Sequence, residues 1–311
     1  MVGSVDQQQG LGEDLVFLMG RPPVREFLEF VKVQALDPAT VDVGVLTSEW
    51  RAANDRVRVL ERTEKGIADG AKVDAVEAGL AKLAEGVLVD PVVRKVFEAL
   101  PWKVGVVTLD SLVVYQKRIG LPHVARVRAA LGDKPSAEAV FNLCLPVGAQ
   151  VRQPPVRAVS ATNGWLFISP SNDLRILEGQ LLGTDAVRGR QLGGYPAGVV
   201  SVFVGFSVNL LHVARIEGRL LLLNGSHRAY ALRESGIASA PALVLDVTRR
   251  EELELLGADE LNQRPDVYLK DPRPPLLKDY FDPQLRKLVV GRLTRTQLSV
   301  GFTGGPTLVP E

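Results

Sequence analysis

Two textures divide the chain. Up to about residue 146 the apolar positions recur at helical spacing. Val24, Phe27, Leu28 and Val31 lie on one face of such a helix, and Pro22-Pro23 just ahead suits its start. Thr47 or Ser48 is placed to cap a second helix, opened by Glu49 and Trp50 and running to about Gly66. Further helices are expected over 72–86, over 91–100 with Asp90 as cap and Pro91 at the first position, over 122–131, and from Ser136 through Leu145. The stretch Val104–Tyr115 fits either a strand pair or a helix.

Past Pro146 the pattern changes. Pro146, Pro154, Pro155 and the polar residues among them read as a linker. Strand signals follow over Val156–Ser160, Gly164–Ser169, Val199–Phe206, Leu210–Ile216 and Leu220–Leu223, then a helix over His227–Ser235 and a strand over Ala242–Val247. The pattern predicts an α+β chain with a helical domain over 1–150, an α/β domain over 151–250, and a C-terminal helix with an irregular proline-rich arm over 251–311. Gln191–Ala214 lacks charge and is long enough to cross a bilayer. Its glycines, Pro196 and its valines favour buried strands with a bulge near Gly205 instead, so no membrane partner is expected.

Composition narrows this picture a little. Hydrophobic residues make up 46% and charged residues 23%, enough for a real core, and a formal charge of +1 gives no whole-surface attraction to nucleic acid or anionic lipid. Cys144 is the single cysteine and sits in an apolar run, which excludes an internal disulfide and any multi-thiolate metal site and predicts a buried small hydrophobe. The first residues, MVGSVDQQQGLGEDL, lack the basic-then-apolar order of a signal peptide, so a cytoplasmic location is expected.

The chemistry concentrates in Val213–Ile237. Glu217-Gly218 predicts a tight hairpin, Gly218 supplying a positive φ, and the leucine-rich strand after it is buried on both faces. That strand runs into Asn224-Gly225, where a helix begins and Gly236 closes it. A glycine entering a helix leaves N–H groups unpaired at the positive end of the helix dipole, a ready anion site. Ser226 adds a hydroxyl, Arg228 a planar fork for phosphate oxygens, and His227 a group able to move a proton. A two-residue turn would set His212 opposite Leu223, bringing His212 and His227 to one cavity as acid/base groups or as ligands. No third ligand is spaced for a metal. Tyr230 suits the core better than a stacking role.

The order of strand, glycine turn, strand, Asn224-Gly225-Ser226-His227-Arg228-Ala229, helix, Gly236 and Pro241-Ala-Leu-Val-Leu245 resembles the ParB/sulfiredoxin superfamily over about residues 160–248. Ile168-Ser-Pro-Ser-Asn-Asp-Leu-Arg175 is similar to that superfamily's early proline-containing box. Where sulfiredoxins place a cysteine this chain has Ser226, and where ParB proteins carry Glu-Arg it has Ser226-His227, without a helix-turn-helix after residue 248. The loop is closest to the free-serine-kinase branch. That resemblance implies nucleotide phosphates (ATP, ADP or CTP, with Mg) held by Asn224, Gly225, Ser226, His227 and Arg228, and a carboxylate base supplied by Asp173 or Glu178. The expectation is a phosphotransferase or NTPase acting on a small molecule, with His227, His212, Asp173 and Glu178 as candidate catalytic residues. The alternatives are a ParB-like DNA-associated protein and a ParB-like scaffold turned to unrelated chemistry. Near-neutral charge disfavours nucleic acid, while 264–295, with eight Lys/Arg against four Asp/Glu, favours it.

Overall fold

The computed structural model describes residues 13–303 apart from 38, 40, 149, 150, 172, 257, 258, 293 and 294, so the leader expectation for residues 1–12 lies outside the described residues. In chain order the elements are strand β1 (Glu13–Leu18), helices α1 (Val24–Gln34) and α2 (Val43–Thr63), strand β2 (Val73–Asp74), and helices α3 (Ala81–Val89) and α4 (Pro91–Val96). Strands β3 (Trp102–Thr108), β4 (Val113–Val114) and β5 (Arg118–Gly120) come next, then helices α5 (Leu121–Leu131) and α6 (Ala137–Cys144). Strands β6 (Arg157–Ala161), β7 (Gly164–Ser169), β8 (Leu174–Leu182) and β9 (Val199–Phe206) follow. The chain continues through β10 (His212–Ile216), β11 (Arg219–Asn224), α7 (Ser226–Glu234) and β12 (Ser239–Asp246). It then forms α8 (Asp259–Gln263), α9 (Pro265–Leu269), β13 (Arg286–Gly291) and β14 (Thr296–Gly301). The fold class is α+β.

Local signals account for many of these boundaries. Asp90 caps α4, accepting from the N–H groups of Val92 and Val93, with Pro91 at its first position, and Ser136 caps α6 through Ala139 N–H. The start of α2 differs from expectation. Asp42 is the cap, accepting from Gly44 and Val45 N–H, while the Thr47 and Ser48 hydroxyls donate back to the carbonyls of Val43 and Gly44. A helix over 72–86 is not formed; β2 pairs with β3 there, and α3 starts only at Ala81. The ambiguous 104–115 stretch forms the two strands β3 and β4, each paired with a different partner.

The described residues fall into two compact units, Met1–Val151 with Asn209–Leu293, and Arg152–Val208 with Thr294–Glu311. These differ from boundaries at 150 and 250. In the first unit a six-stranded sheet has the order β2-β3-β12-β10-β11-β4, so strands of the supposed helical half complete the sheet of the loop-bearing half. β3 runs antiparallel to β12, β10 lies parallel to β12, and β4 lies parallel to β11. A second sheet, β13-β1-β5, uses the apolar run Leu15–Leu18, whose Phe17 stacks on Phe30 at 4.4 Å and packs against the buried Phe27 of α1.

The residues expected as an irregular arm are therefore structural. β13 pairs with β1 along its length, and Leu276, Leu277 and Tyr280 are fully buried. Arg273, 2% exposed, donates to both Asp279 oxygens and, through Nε (3.1 Å) and Nη2 (2.9 Å), to Glu64 at the end of α2; Lys278 Nζ reaches the other Glu64 oxygen at 2.9 Å. Tyr230 is in the core as expected, 2% exposed and stacked on Phe281 at 4.5 Å.

The second unit holds the sheet β14-β7-β6 and the ribbon β8-β9. β9 is half-buried rather than buried, and its irregularity lies on the partner strand. Leu177 is the extra residue of β8, and its side chain comes within 2.9 Å of where a Gly205 Cβ would stand, so glycine makes room for the bulge. Among the described residues no helix is long and apolar enough to cross a membrane.

Arg273→Ala leaves the buried Asp279 carboxylate without its cation, while Glu64 keeps Lys278, and should lower stability by about 3–5 kcal/mol. Urea denaturation of both proteins, read as a shift in midpoint at constant slope, checks this.

Candidate functional site

The site begins at the β10–β11 hairpin. Glu217 (φ 49°) and Gly218 (φ 78°) form a two-residue turn with positive φ at both positions, and Ile216 pairs with Arg219 as its length requires. Leu220, Leu221 and Leu222 are buried, which fits a strand with neighbours on both faces. The register then slips. A bulge sets His212 opposite Asn224, not Leu223.

Gly225 ends the strand at φ 94°, and a Cβ there would lie 3.1 Å from Leu211 Cα. Both the left-handed backbone and the close approach demand glycine. Asn224 Oδ1 accepts from Gly225 N–H at 2.8 Å, and α7 starts at Ser226. Ser226 is buried, and its hydroxyl has no hydrogen-bond partner among the described residues.

Arg228 does not present its fork to solvent. It is 6% exposed, and Nη1 donates to the carbonyls of Leu143 (3.2 Å), Cys144 (3.2 Å) and Asn209 (2.6 Å), while Nη2 donates to Asn209 Oδ1 at 2.9 Å. The guanidinium therefore satisfies the end of α6 and holds the chain where it enters β10. Burial draws its pKa down to about 10, so it stays charged at neutral pH. Burial likewise pushes the Cys144 thiol up to about 12, in keeping with the buried small hydrophobe expected there.

The two expected histidines meet different neighbours. His212 turns its edge to Phe97 at 5.2 Å and places Nδ1 3.3 Å from the Leu210 carbonyl. His227 packs on His123 at 4.7 Å, and its Nε2 accepts from Gly120 N–H at 3.0 Å, which leaves the proton on Nδ1. Among the described residues no hydrogen bond or ring contact joins His212 to His227. The bulge is the physical reason, because one inserted residue changes which way a strand side chain points. Asp173 and Glu178 belong to the other unit, where Asp173 pairs with Arg175 and Glu178 accepts from Gln180.

What surrounds His227 was not legible in the loop. His123 lies in the first turn of α5, two residues past the helix start, and α5 packs against α7. Arg118 and Arg126 are exposed and form no ion pair among the described residues. Glu13 Oε1 approaches Gly120 on the side where His227 Nε2 also lies. Burial, then the positive charges of His123, Arg126, Arg228 and Arg118, pulls the His227 pKa down to about 4; burial and two of those arginines lower His123. Pro122-His123 at a helix start was the available signal, since the chain has only three histidines. Among the described residues no group of three or more His, Cys, Asp or Glu side chains is placed to hold a metal ion.

Two outcomes follow for the fold. Arg228→Ala leaves buried carbonyls without a donor and should cost about 2–4 kcal/mol, measured by urea denaturation. His212 and His227, both held near pKa 4 in the native state against about 6.5 when unfolded, make the unfolded chain bind more protons in that interval. Stability is then complete above about pH 6.5 and falls as pH drops toward about 4. Midpoints that stay level across this range for wild type, with no change on replacing His212 by Phe, would refute the assignment.

Compared with known proteins, the chain matches no family model, no curated protein and no solved structure.

Proposed function

We propose that this chain binds a phosphorylated small molecule of the nucleotide class where α5 and α7 begin, and that it acts as a phosphotransferase or nucleotide-hydrolysing enzyme. The observation that carries this reading is the convergence of His123, His227, Arg118 and Arg126 at the starts of two packed helices, with neither arginine ion-paired among the described residues. Burial depresses both histidines, and the positive charge gathered there adds to it. A phosphate group would relieve that repulsion, and exposed guanidinium groups can close on it by charge-assisted hydrogen bonds. The first-turn N–H groups of α7 add donors with the helix dipole behind them. The similarity of Asn224–Ala229 to the ParB/sulfiredoxin pattern supports the same place.

The roles differ from those of the loop taken alone. Arg228 would position α7 rather than touch the ligand. His227 gives its Nε2 lone pair to Gly120 N–H and carries its proton on Nδ1, so it would meet the phosphate as a hydrogen-bond donor through Nδ1. A bound nucleotide would bring the phosphoryl group; the chain's contribution is charge neutralisation and alignment. A DNA-binding role has less support, because four of the eight basic residues of 264–295 are ion-paired within the fold. Lys270 pairs with Asp266, Arg273 with Glu64 and Asp279, Lys278 with Glu64, and Lys287 with Glu49.

Anion binding should raise the proton affinity of His123 and His227, so the complex takes up protons and affinity rises as pH is lowered from 8 to 6. Calorimetric titration with ADP, and with sulfate as an anion that does not titrate in this range, should show that trend, and Arg126→Ala should weaken ADP by roughly tenfold. Binding that is independent of pH and indifferent to Arg126→Ala would overturn the reading.

A further inference from the structure

The unit made of Arg152–Val208 and Thr294–Glu311 buries little of its own. Among its described residues only Ser169 and Leu174 are buried, whereas the other unit holds nearly all of the core. A unit of this size without a core does not hold by itself, because half-exposed side chains return too little for the ordering of the backbone. The β8–β9 ribbon is the extreme case. A two-stranded hairpin is marginal in water, and a stable sheet needs three or more strands with an apolar face, or a helix packed on it.

The ribbon's register sets Ile176 opposite Val204, Gly179 opposite Val202 and Leu181 opposite Val200, so this face carries no polar side chain along those pairs. On it Leu181 is 80%, Val200 62% and Ile176 49% exposed. β8 and β9 form a sheet of two, so each strand has an edge without a partner strand among the described residues. The backbone of Val199–Phe206 is hydrogen-bonded there to β8 alone. The two edges differ in charge. β8 carries Arg175 and Glu178, while β9 lies in a stretch without charge from Gln191 to Ala214. Charged side chains are what keep a free edge from pairing, and β9 lacks them.

We infer that β9 is the seat of a homodimer, pairing antiparallel with β9 of a second copy across a two-fold axis to make a four-stranded sheet. A two-fold sets a strand against its own reverse, which for β9 opposes no like charges and lets valine and phenylalanine side chains meet across the pair. The outer edges of that sheet are the two β8 strands, whose Arg175 and Glu178 oppose further addition, so association closes at two copies. The available area agrees. Ile176, Leu181, Leu192, Tyr195, Val200 and Phe203 offer roughly 400 Å² at about 100 Å² for a fully exposed side chain. The edge of an eight-residue strand, about 27 Å long, adds roughly 200 Å². The total of about 600 Å² per copy reaches the lower bound of a specific interface. A second copy is also supplied with every chain, as a unit lacking a core requires.

The test is the mass of the full chain by analytical ultracentrifugation and the hydrogen exchange of its amides, both over roughly 1 to 100 µM. Two chains of 33.7 kDa should sediment together at the upper end, and amides within Val199–Phe206 should exchange about tenfold more slowly there than in the dilute protein. Val200→Lys places a charge on the pairing strand at an exposed position and should weaken the dimer by about tenfold or more. Val92→Lys, on α4 and exposed to nearly the same degree, should leave it unchanged. Slow exchange retained along β1 and β13 shows that Val200→Lys is folded, and the exchange result for wild type stands whether or not that variant folds. A monomer throughout the range overturns the inference, as does a dimer that folded Val200→Lys leaves intact or one without slower exchange in β9. Flotation of the monomer with phosphatidylcholine vesicles would mean that lipid covers the ribbon, and overturns it as well.

Discussion

A guanidinium group taken out of water must be given acceptors, and the loop-bearing unit is arranged around how that is done for Arg228. Its acceptors come from the end of α6 and from Asn209, the residue from which the chain runs into the hairpin. Through this one side chain the start of α7, the last turn of α6 and the approach to β10 are held in register. The Leu211 N–H, donating to the Cys144 carbonyl at 2.7 Å, reinforces the same junction. Gly225 follows from it, since the turn that brings Arg228 inward passes so close to Leu211 that no side chain fits.

This arrangement reassigns the chemistry of the Asn-Gly-Ser-His-Arg segment. The residue with the strongest phosphate-binding character is used to build the fold, and the residue next to it faces the other way, onto α5. His227 there meets His123 and the backbone of Gly120 rather than His212. The cationic groups near it come from β5 and α5, so most of the side chains around this helix start are supplied from more than 100 residues upstream.

The buried arginines make a wider point about polar groups in this unit. Arg219 reaches Asp69 and the Tyr268 carbonyl, and Arg273 bridges Glu64 and Asp279, so each ties the first hundred residues or the hairpin to the C-terminal segment. The C-terminal residues are thereby part of the core, which is why prolines that suggest an irregular arm stand between buried aromatic and leucine side chains instead. Arg21 departs from this pattern at one edge, where Nε and Nη2 meet no acceptor among the described residues.

The sequence by itself determined what depends on neighbours along the chain. The caps at Asp90 and Ser136, the turn at Glu217-Gly218, the strands at Gly164–Ser169 and Val199–Phe206 and the glycine that opens α7 were all legible, because local φ/ψ preferences and side-chain spacing specify them. Tertiary structure alone decided which strands pair. β1 with β13 and β3 with β12 close across more than 100 residues, and no local period encodes the choice of so distant a partner. The same holds for charge and for the site. Arg228 looks like a ligand residue until the carbonyls of α6 arrive to satisfy it, and one bulged residue, Leu223, shifts the register between His212 and the strand that leads to His227. Residue type limits what a side chain can do, and the groups that packing sets around it select which of those things it does.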